Sequence, residues 1–117
     1  MINRKVDKAE WKQFFEFLSK QVEGTRAEIE VASLELGDQI EAEWLPLIGI
    51  TYDPKDNAVE IALEDSDRVI IDHMIKEPRE IHFAEDGRQF IGLDIVDMSG
   101  AHHIVKLKDP LMLPANS

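Results

Sequence analysis

The sequence contains no cysteine, which excludes disulfide scaffolds, thiolate metal sites and cysteine nucleophiles. Basic charge is also scarce: 13 lysines and arginines stand against 24 aspartates and glutamates, and the formal net charge is −11. Because phosphate contacts need a basic surface, we expect no binding to DNA or RNA. The six glycines are isolated, so the chain has neither a phosphate-binding loop nor a dinucleotide fingerprint.

Long apolar runs are missing as well. The longest covers residues 44–50 and is interrupted by Pro46 and Gly49. It is far shorter than the ~20 residues that a membrane span needs. Residues 1–8 are polar and lack the apolar centre of a signal peptide. We therefore expect a cytoplasmic protein that does not associate with membranes.

Length and composition predict one folded domain over residues 1–117, because 44% of the residues are hydrophobic and domains cluster near ~100–150 residues. The acidity is concentrated in residues 23–65, which hold two basic and twelve acidic side chains. A charged segment of this kind is typical of a solvated face. The alternative is a surface on which a basic partner docks.

An amphipathic helix is predicted at about residues 8–22. Asp7 is a typical N-cap residue, and Glu10 three positions later resembles a capping box. Apolar side chains then recur at helical spacing and form one stripe, which consists of Trp11, Phe14, Phe15, Leu18 and Val22. Such a stripe could bind a partner, but more often it covers a sheet, as we expect here.

The rest of the chain alternates between apolar and polar residues, which predicts antiparallel strands within residues 25–108 and an extended tail at 109–117. Residues 68–76 are ambiguous. A helical face would consist of Ile70, Ile71, Met74 and Ile75, and a strand face of Val69, Ile71, His73 and Ile75. We predict a short helix that ends before Pro78, because the residue before a proline disfavours helix.

One helix followed by about six short strands predicts an α+β fold. The N-terminal helix would pack on a strongly bent antiparallel β-sheet or small barrel. The order of elements resembles that of Sm-like and SH3-like barrels, a likeness that concerns the fold alone. Such a sheet can leave one edge open, and the apolar segment Leu47–Tyr52 is the candidate edge for a homodimer.

The C-terminal strands form a predicted meander whose register can be derived. A three-residue loop, Met98–Gly100, would pair Ile95 with His103 and Leu93 with Val105. The other hairpin, around Gly87, would pair Ile81 with Leu93 and Phe83 with Ile91. The outward face would then carry four polar residues close together, which are Glu80, His82, Asp94 and His102.

These four residues are the candidate metal site, because imidazole and carboxylate groups are the ligands that zinc prefers. A His–Asp pair could also act as an oriented general base. The competing interpretation is an ordinary solvated sheet face. The register turns His103 inward, where a bond to a backbone carbonyl is expected, whereas His73 is expected to be exposed on the short helix.

The segment around Trp44, Pro46 and Tyr52 is the second candidate site. These side chains could line a groove for a peptide or a small ligand. The structural alternative makes Trp44 a core anchor, Pro46 a bend in a strand and Tyr52 the end of a turn.

Three stretches resemble a family of short bacterial proteins of unknown function, and the likeness extends over nearly the whole chain. They are residues 44–56, Ile29-Glu30-Val31-Ala32-Ser33 and Lys76-Glu77-Pro78-Arg79-Glu80-Ile81. The resemblance implies a complete, stand-alone bacterial domain and brings no activity, cofactor or catalytic residue.

The sequence as a whole favours a non-enzymatic accessory or protein-binding module, because nucleophile motifs and phosphate loops are absent. A protein partner or a second copy is the expected ligand, and no cofactor is expected. The alternative is a small metal- or ligand-binding protein that uses His82, Asp94, His102 and Glu80.

Overall fold

The computed structural model describes residues 2–112. Most of these residues lie in eight strands, and the elements are β1 (Ile2–Lys5), a 3-10 turn (Lys8–Glu10), α1 (Trp11–Val22), β2 (Arg26–Ser33), β3 (Gly37–Asp53), β4 (Ala58–Glu64), β5 (Ile70–Lys76), β6 (Pro78–Asp86), β7 (Gln89–Asp97) and β8 (His102–Met112). The strands form one sheet in the order β1-β6-β7-β8-β2-β3-β4-β5. Every neighbouring pair is antiparallel.

Helix α1 packs against β3 through its apolar stripe. Trp11, Phe15, Leu18 and Val22 are buried, and Phe14 is partly buried against the same core. The indole Nε1 of Trp11 donates a hydrogen bond of 2.9 Å to the carbonyl oxygen of Val6. Asp7 precedes the 3-10 turn without making a side-chain cap. The stripe therefore covers a sheet, as its spacing predicted.

The long strand β3 bends the sheet, because it changes partner at Pro46. Its first part pairs with β2 up to Pro46, and the part from Leu47 onward pairs with β4. Proline has no N–H to donate to a ladder, so a change of partner at this position leaves no donor unpaired. Strand β5 comes back to β8, where the rings of His73 and His103 meet. The inner face of the sheet is the one that carries the buried core residues.

The prediction of an α+β fold with a six-stranded bent sheet or small barrel was wrong. Residues 2–112 are mostly sheet, with eight strands and one short helix, and within them the sheet is open. Within residues 2–112, its edge strands β1 and β5 do not pair with each other. The likeness to Sm-like and SH3-like barrels therefore does not hold.

Two of the strands were not expected. Residues 2–5 form β1, and the segment predicted as a short helix forms β5. Each residue from Ile70 to Lys76 faces a partner on β4. The sequence pattern of residues 68–76 fits a helix and a strand almost equally well. A strand is formed because it pairs with the backbone N–H and C=O groups of β4, which a helix would have left without partners.

The structure places the candidate dimer edge, Leu47–Tyr52, between β4 and helix α1. On one side, Leu47, Ile50 and Tyr52 face Leu63, Ile61 and Val59 of β4. On the other side, the N–H of Leu47 donates to the carbonyl oxygen of Thr25, and the N–H of Ile50 donates to the Ser19 hydroxyl of α1. A dimer through this edge stays a prediction.

The register of the meander was half correct. Ile95 faces His103 and Leu93 faces Val105, as predicted. However, Ile81 faces Ile95 and Phe83 faces Leu93, two residues from the predicted partners. The hairpin turn is tighter than expected, because Asp86 faces Gln89. The register of the β6–β7 ladder then shifts between Glu85 and Ala84. Because side chains alternate with period two, a shift of two residues keeps every side chain on its predicted face.

The predicted tail begins inside a strand, because β8 continues through Asp109 to Met112. Leu111 faces Phe90 of β7 and packs against the core. The rest of the tail, residues 113–117, lies outside the described residues. In the part of the chain that the structure describes, no helix has the length and apolar character to cross a membrane.

Candidate functional site

The predicted metal residues lie on the outer face of β6, β7 and β8. The corrected register places His82 directly opposite Asp94, while Glu80 and His102 both face Val96. The side chains form two separate pairs. His82 Nε2 lies 3.0 Å from Glu80 Oε1, and His102 Nδ1 lies 3.0 Å from both carboxylate oxygens of Asp94.

In each pair, the histidine ring has a carboxylate as its hydrogen-bond partner. The hydrogen bond from His82 lowers the pKa of Glu80, and the charge of Lys5 acts in the same direction. Across residues 2–112, no group of three or more histidine and acidic side chains is arranged to hold a metal ion. The four residues thus lie near one another without converging on one point, and the metal site stays a prediction.

A shallow cavity of about 370 Å³ lies beside these pairs. His82, Asp94 and Lys106 contribute its polar lining, and Gly92 contributes to its floor. The glycine is required by the backbone, because an added Cβ would overlap the carbonyl oxygen of Val105.

The structure separates the residues of the predicted aromatic groove. Tyr52 packs edge-on against Trp11 at 5.3 Å between ring centroids, and its hydroxyl donates to Asn57. Burial raises the pKa of Tyr52, and Asp53 adds to the effect. Tyr52 lines a cavity of about 500 Å³ between α1 and β3, but Trp44 and Pro46 are not among its lining residues. Both are half-buried near the bend of β3.

A different set of side chains forms a continuous hydrogen-bonded chain. His103 Nε2 lies 2.9 Å from Asp97 Oδ2, and His103 Nδ1 lies 3.0 Å from His73 Nε2. Asp97 ends β7, His103 is the second residue of β8 and His73 lies in the middle of β5. His103 is buried, and His73 is half-buried beside it.

Asp97 is held as a carboxylate. Burial raises its pKa, but hydrogen bonds from Ser99, His103 and the backbone N–H of Ala101 outweigh burial, and the pKa is lowered overall. The ionised carboxylate can only accept, so His103 Nε2 carries the hydrogen. In a neutral His103, Nδ1 is then the acceptor and His73 is the donor.

The neutral form of His73 is favoured, because its pKa is lowered. Burial lowers its pKa, and the neighbouring His103 lowers it further, while Glu41 acts in the opposite direction. The expected inward orientation of His103 is confirmed, although its partners are side chains and not a backbone carbonyl. The expected exposure of His73 was wrong. The alternation of Ile71, His73 and Ile75 was the one sequence signal that could have placed it inside.

The second notable surface consists of the free edge of β5 and the outer face of the same strand. Within residues 2–112, β5 pairs with β4 only and leaves its other side open. Met74 faces Glu60 and Ile70 faces Glu64 across the ladder. Ile70 is 58% exposed and Met74 is 45% exposed, so apolar and acidic side chains alternate on this surface.

A cavity of about 710 Å³ continues this surface. It is lined by Thr51, Asp53, Asp56, Ala58, Glu60, Met74, Lys76 and Glu77. Four of these side chains are acidic and one is basic, so the cavity favours a positively charged group.

Comparison with known proteins gives a family. The model of the family of unknown function DUF5335 matches residues 2–116. The chain belongs to this family. An uncharacterised protein of Aquifex aeolicus (strain VF5) is 34% identical over 114 residues, which cover 97% of this chain and 99% of that protein. No solved structure matches the chain.

Membership in DUF5335 confirms the resemblance to a family of unknown function, and the Aquifex protein agrees with a bacterial origin. Neither the family description nor the name of the Aquifex protein states an activity. The features of this chain that bear on its function are therefore the two surfaces and the histidine chain described above.

Proposed function

We propose that this DUF5335 protein is a non-enzymatic binding module whose open β5 edge accepts an extended segment of another protein. The observation that carries the proposal is an open strand edge bordered by exposed apolar and acidic side chains. Backbone N–H and C=O groups on such an edge can form a new ladder with an added strand. The proposal includes a cytoplasmic location, which is supported by the polar residues 1–8 and by the lack of a long apolar run in the sequence.

The other edge of the sheet is a poorer candidate. Strand β1 has four residues, and its Arg4 forms a salt bridge with Glu85 of β6. Short, charged edges are the usual protection against unwanted pairing. Strand β5 has seven residues, including the exposed Ile70, Ile71 and Met74. Its length and apolar side chains favour pairing with a partner.

Charge complementarity defines the partner. An added strand would place alternate side chains beside the outer face of β5, near Glu60, Glu64 and the cavity that contains Asp53. We therefore propose a segment in which lysine or arginine alternates with apolar residues. A second copy of the chain is disfavoured, because two such faces would bring like charges together.

The test compares two synthetic peptides, one of alternating lysine and valine and one of alternating glutamate and valine. We expect the lysine peptide to bind, with shifts of the β5 amide signals in nuclear magnetic resonance spectra, and the glutamate peptide not to bind. Met74→Lys should weaken binding by about tenfold or more, because it adds a positive charge to the face. Met112→Lys, an exposed methionine on β8, is the matched control.

Equal binding of both peptides would contradict the proposal, and so would equal effects of the two lysine variants. A sedimentation mass near twice 13.4 kDa that disappears in Met74→Lys would show that a second copy occupies the edge instead.

A ligand site on the outer face of β6–β8 is the second candidate function. The cavity lined by His82 and Asp94 favours it, because both groups can bind a metal ion or a polar ligand. It ranks second because each histidine already has a carboxylate partner.

A further inference from the structure

The contact between His73 and His103 joins strands that are remote in the sheet. Between β8 and β5 the pairing order places β2, β3 and β4. The two rings meet because the bend in β3 turns β5 back over the inner face. Both residues lie in inward-facing rows: His73 faces Ile61 across the ladder, and His103 faces Ile95.

The number of protons on the two rings determines whether this contact can form. With both rings neutral, His73 Nε2–H donates to His103 Nδ1. After one proton is added, a single N–H still bridges the rings, because one ring donates and the other accepts. After a second proton, both nitrogens carry hydrogens and no acceptor remains. Two positive rings then face each other at about 3 Å, where like charges repel strongly.

We propose that Asp97, His103 and His73 form a pH-sensitive latch that holds the middle of β5 against the inner face at neutral pH and releases it on acidification. The charged groups that act on the rings are Asp97 at the end of β7 and Glu41 on β3. Asp97 binds the His103 ring directly. Glu41 favours a proton on His73, and the neighbouring His103 ring opposes it.

The rest of β5 determines what the latch controls. At its C-terminal end, Ile75 is buried and the corner is fixed by Glu77, whose N–H donates to Asn57 and whose carbonyl accepts from Met98. Toward the N-terminal end, Ile70 and Ile71 are largely exposed. His73 is thus the inward anchor nearest to the loosely packed half of the strand. Release of the latch therefore frees residues 70–73 first.

Amide hydrogen exchange tests the proposal on the whole chain. We expect protection factors in residues 70–73 to fall by about tenfold or more between about pH 7.5 and about pH 5.5, while those in β7 stay constant. His73→Gln should remove this pH dependence, because the amide can donate to His103 Nδ1 but does not titrate. His82→Gln, which changes a histidine on the outer face, should retain it.

Constant protection of residues 70–73 over this pH range would overturn the latch. An equal loss in β5 and β7 would do so too, because it would mean global destabilisation. A pH dependence that survives in His73→Gln would assign the effect to another group. These measurements need no peptide, so failure of the proposed binding function and failure of the latch are distinguishable.

Discussion

His73 Nε2 lies 3.0 Å from His103 Nδ1, although the two residues are 30 positions apart and their strands are separated by three others in the sheet. His103 in turn binds Asp97, which ties this contact to the hairpin between β7 and β8. Three titratable side chains therefore connect the edge strand β5 to the centre of the sheet.

Loss of the Asp97 carboxylate should destabilise the protein. It accepts hydrogen bonds from Ser99, Ala101 and His103, and His103 would be left with a buried, unpaired N–H. We expect Asp97→Ala to lower the free energy of unfolding in urea by about 2–4 kcal/mol. Asp94→Ala on the same strand is the control, and the loss of its more exposed hydrogen bond with His102 should matter by less than about 1 kcal/mol. Equal losses would contradict the role assigned to Asp97.

Stability should fall on acidification in two stages. The pKa of His73 is lowered by folding, so its contribution is complete above the unfolded value of 6.5 and is lost as the pH falls below it. The pKa of Asp97 is also lowered, so its contribution is lost below the unfolded value of 3.8. Urea unfolding over a pH series should show both losses. In His73→Gln the first should shrink, and an unchanged first stage would rule out His73 as its source.

Gly92→Ala should be more harmful than Gly49→Ala. A Cβ at Gly92 would overlap the backbone carbonyl of Val105, which cannot move without breaking the β7–β8 pairing. We expect a loss of about 1–3 kcal/mol or more. At Gly49 the added Cβ would meet the Ser19 hydroxyl, which can rotate away at the loss of its hydrogen bond with Ile50, about 1 kcal/mol. Thermal unfolding should give this order, and the reverse order would contradict it.

Zinc should bind weakly at the outer face of β6–β8. His82 is hydrogen-bonded to Glu80, and His102 is hydrogen-bonded to Asp94. A tight zinc site needs three or more ligands that converge on one point. We expect calorimetry at micromolar protein to show no saturable heat, and His82→Ala to match the wild type. Saturable binding that disappears in His82→Ala would instead make the metal site the leading function.

The helix and half of the meander could be predicted because their signals are local. Trp11, Phe15 and Leu18 show helical spacing, and the Met98–Gly100 loop fixes the pairing of Ile95 with His103. The pairing of β6 failed because the sequence does not distinguish a tight turn followed by an irregularity from a longer loop. The register error of two residues left every side chain on its predicted face. The prediction that His82 and Asp94 lie on one surface was therefore still correct.

The sequence by itself determined the charge, the apolar stripe of α1 and the inward or outward side of most strand residues, because composition and periodicity act over short distances. Only the tertiary structure decided that residues 70–76 form a strand, that β5 and β1 are the edges, and that His73 meets His103. These outcomes depend on which backbone groups find partners when β3 bends at Pro46, and that competition is settled between segments far apart in the chain.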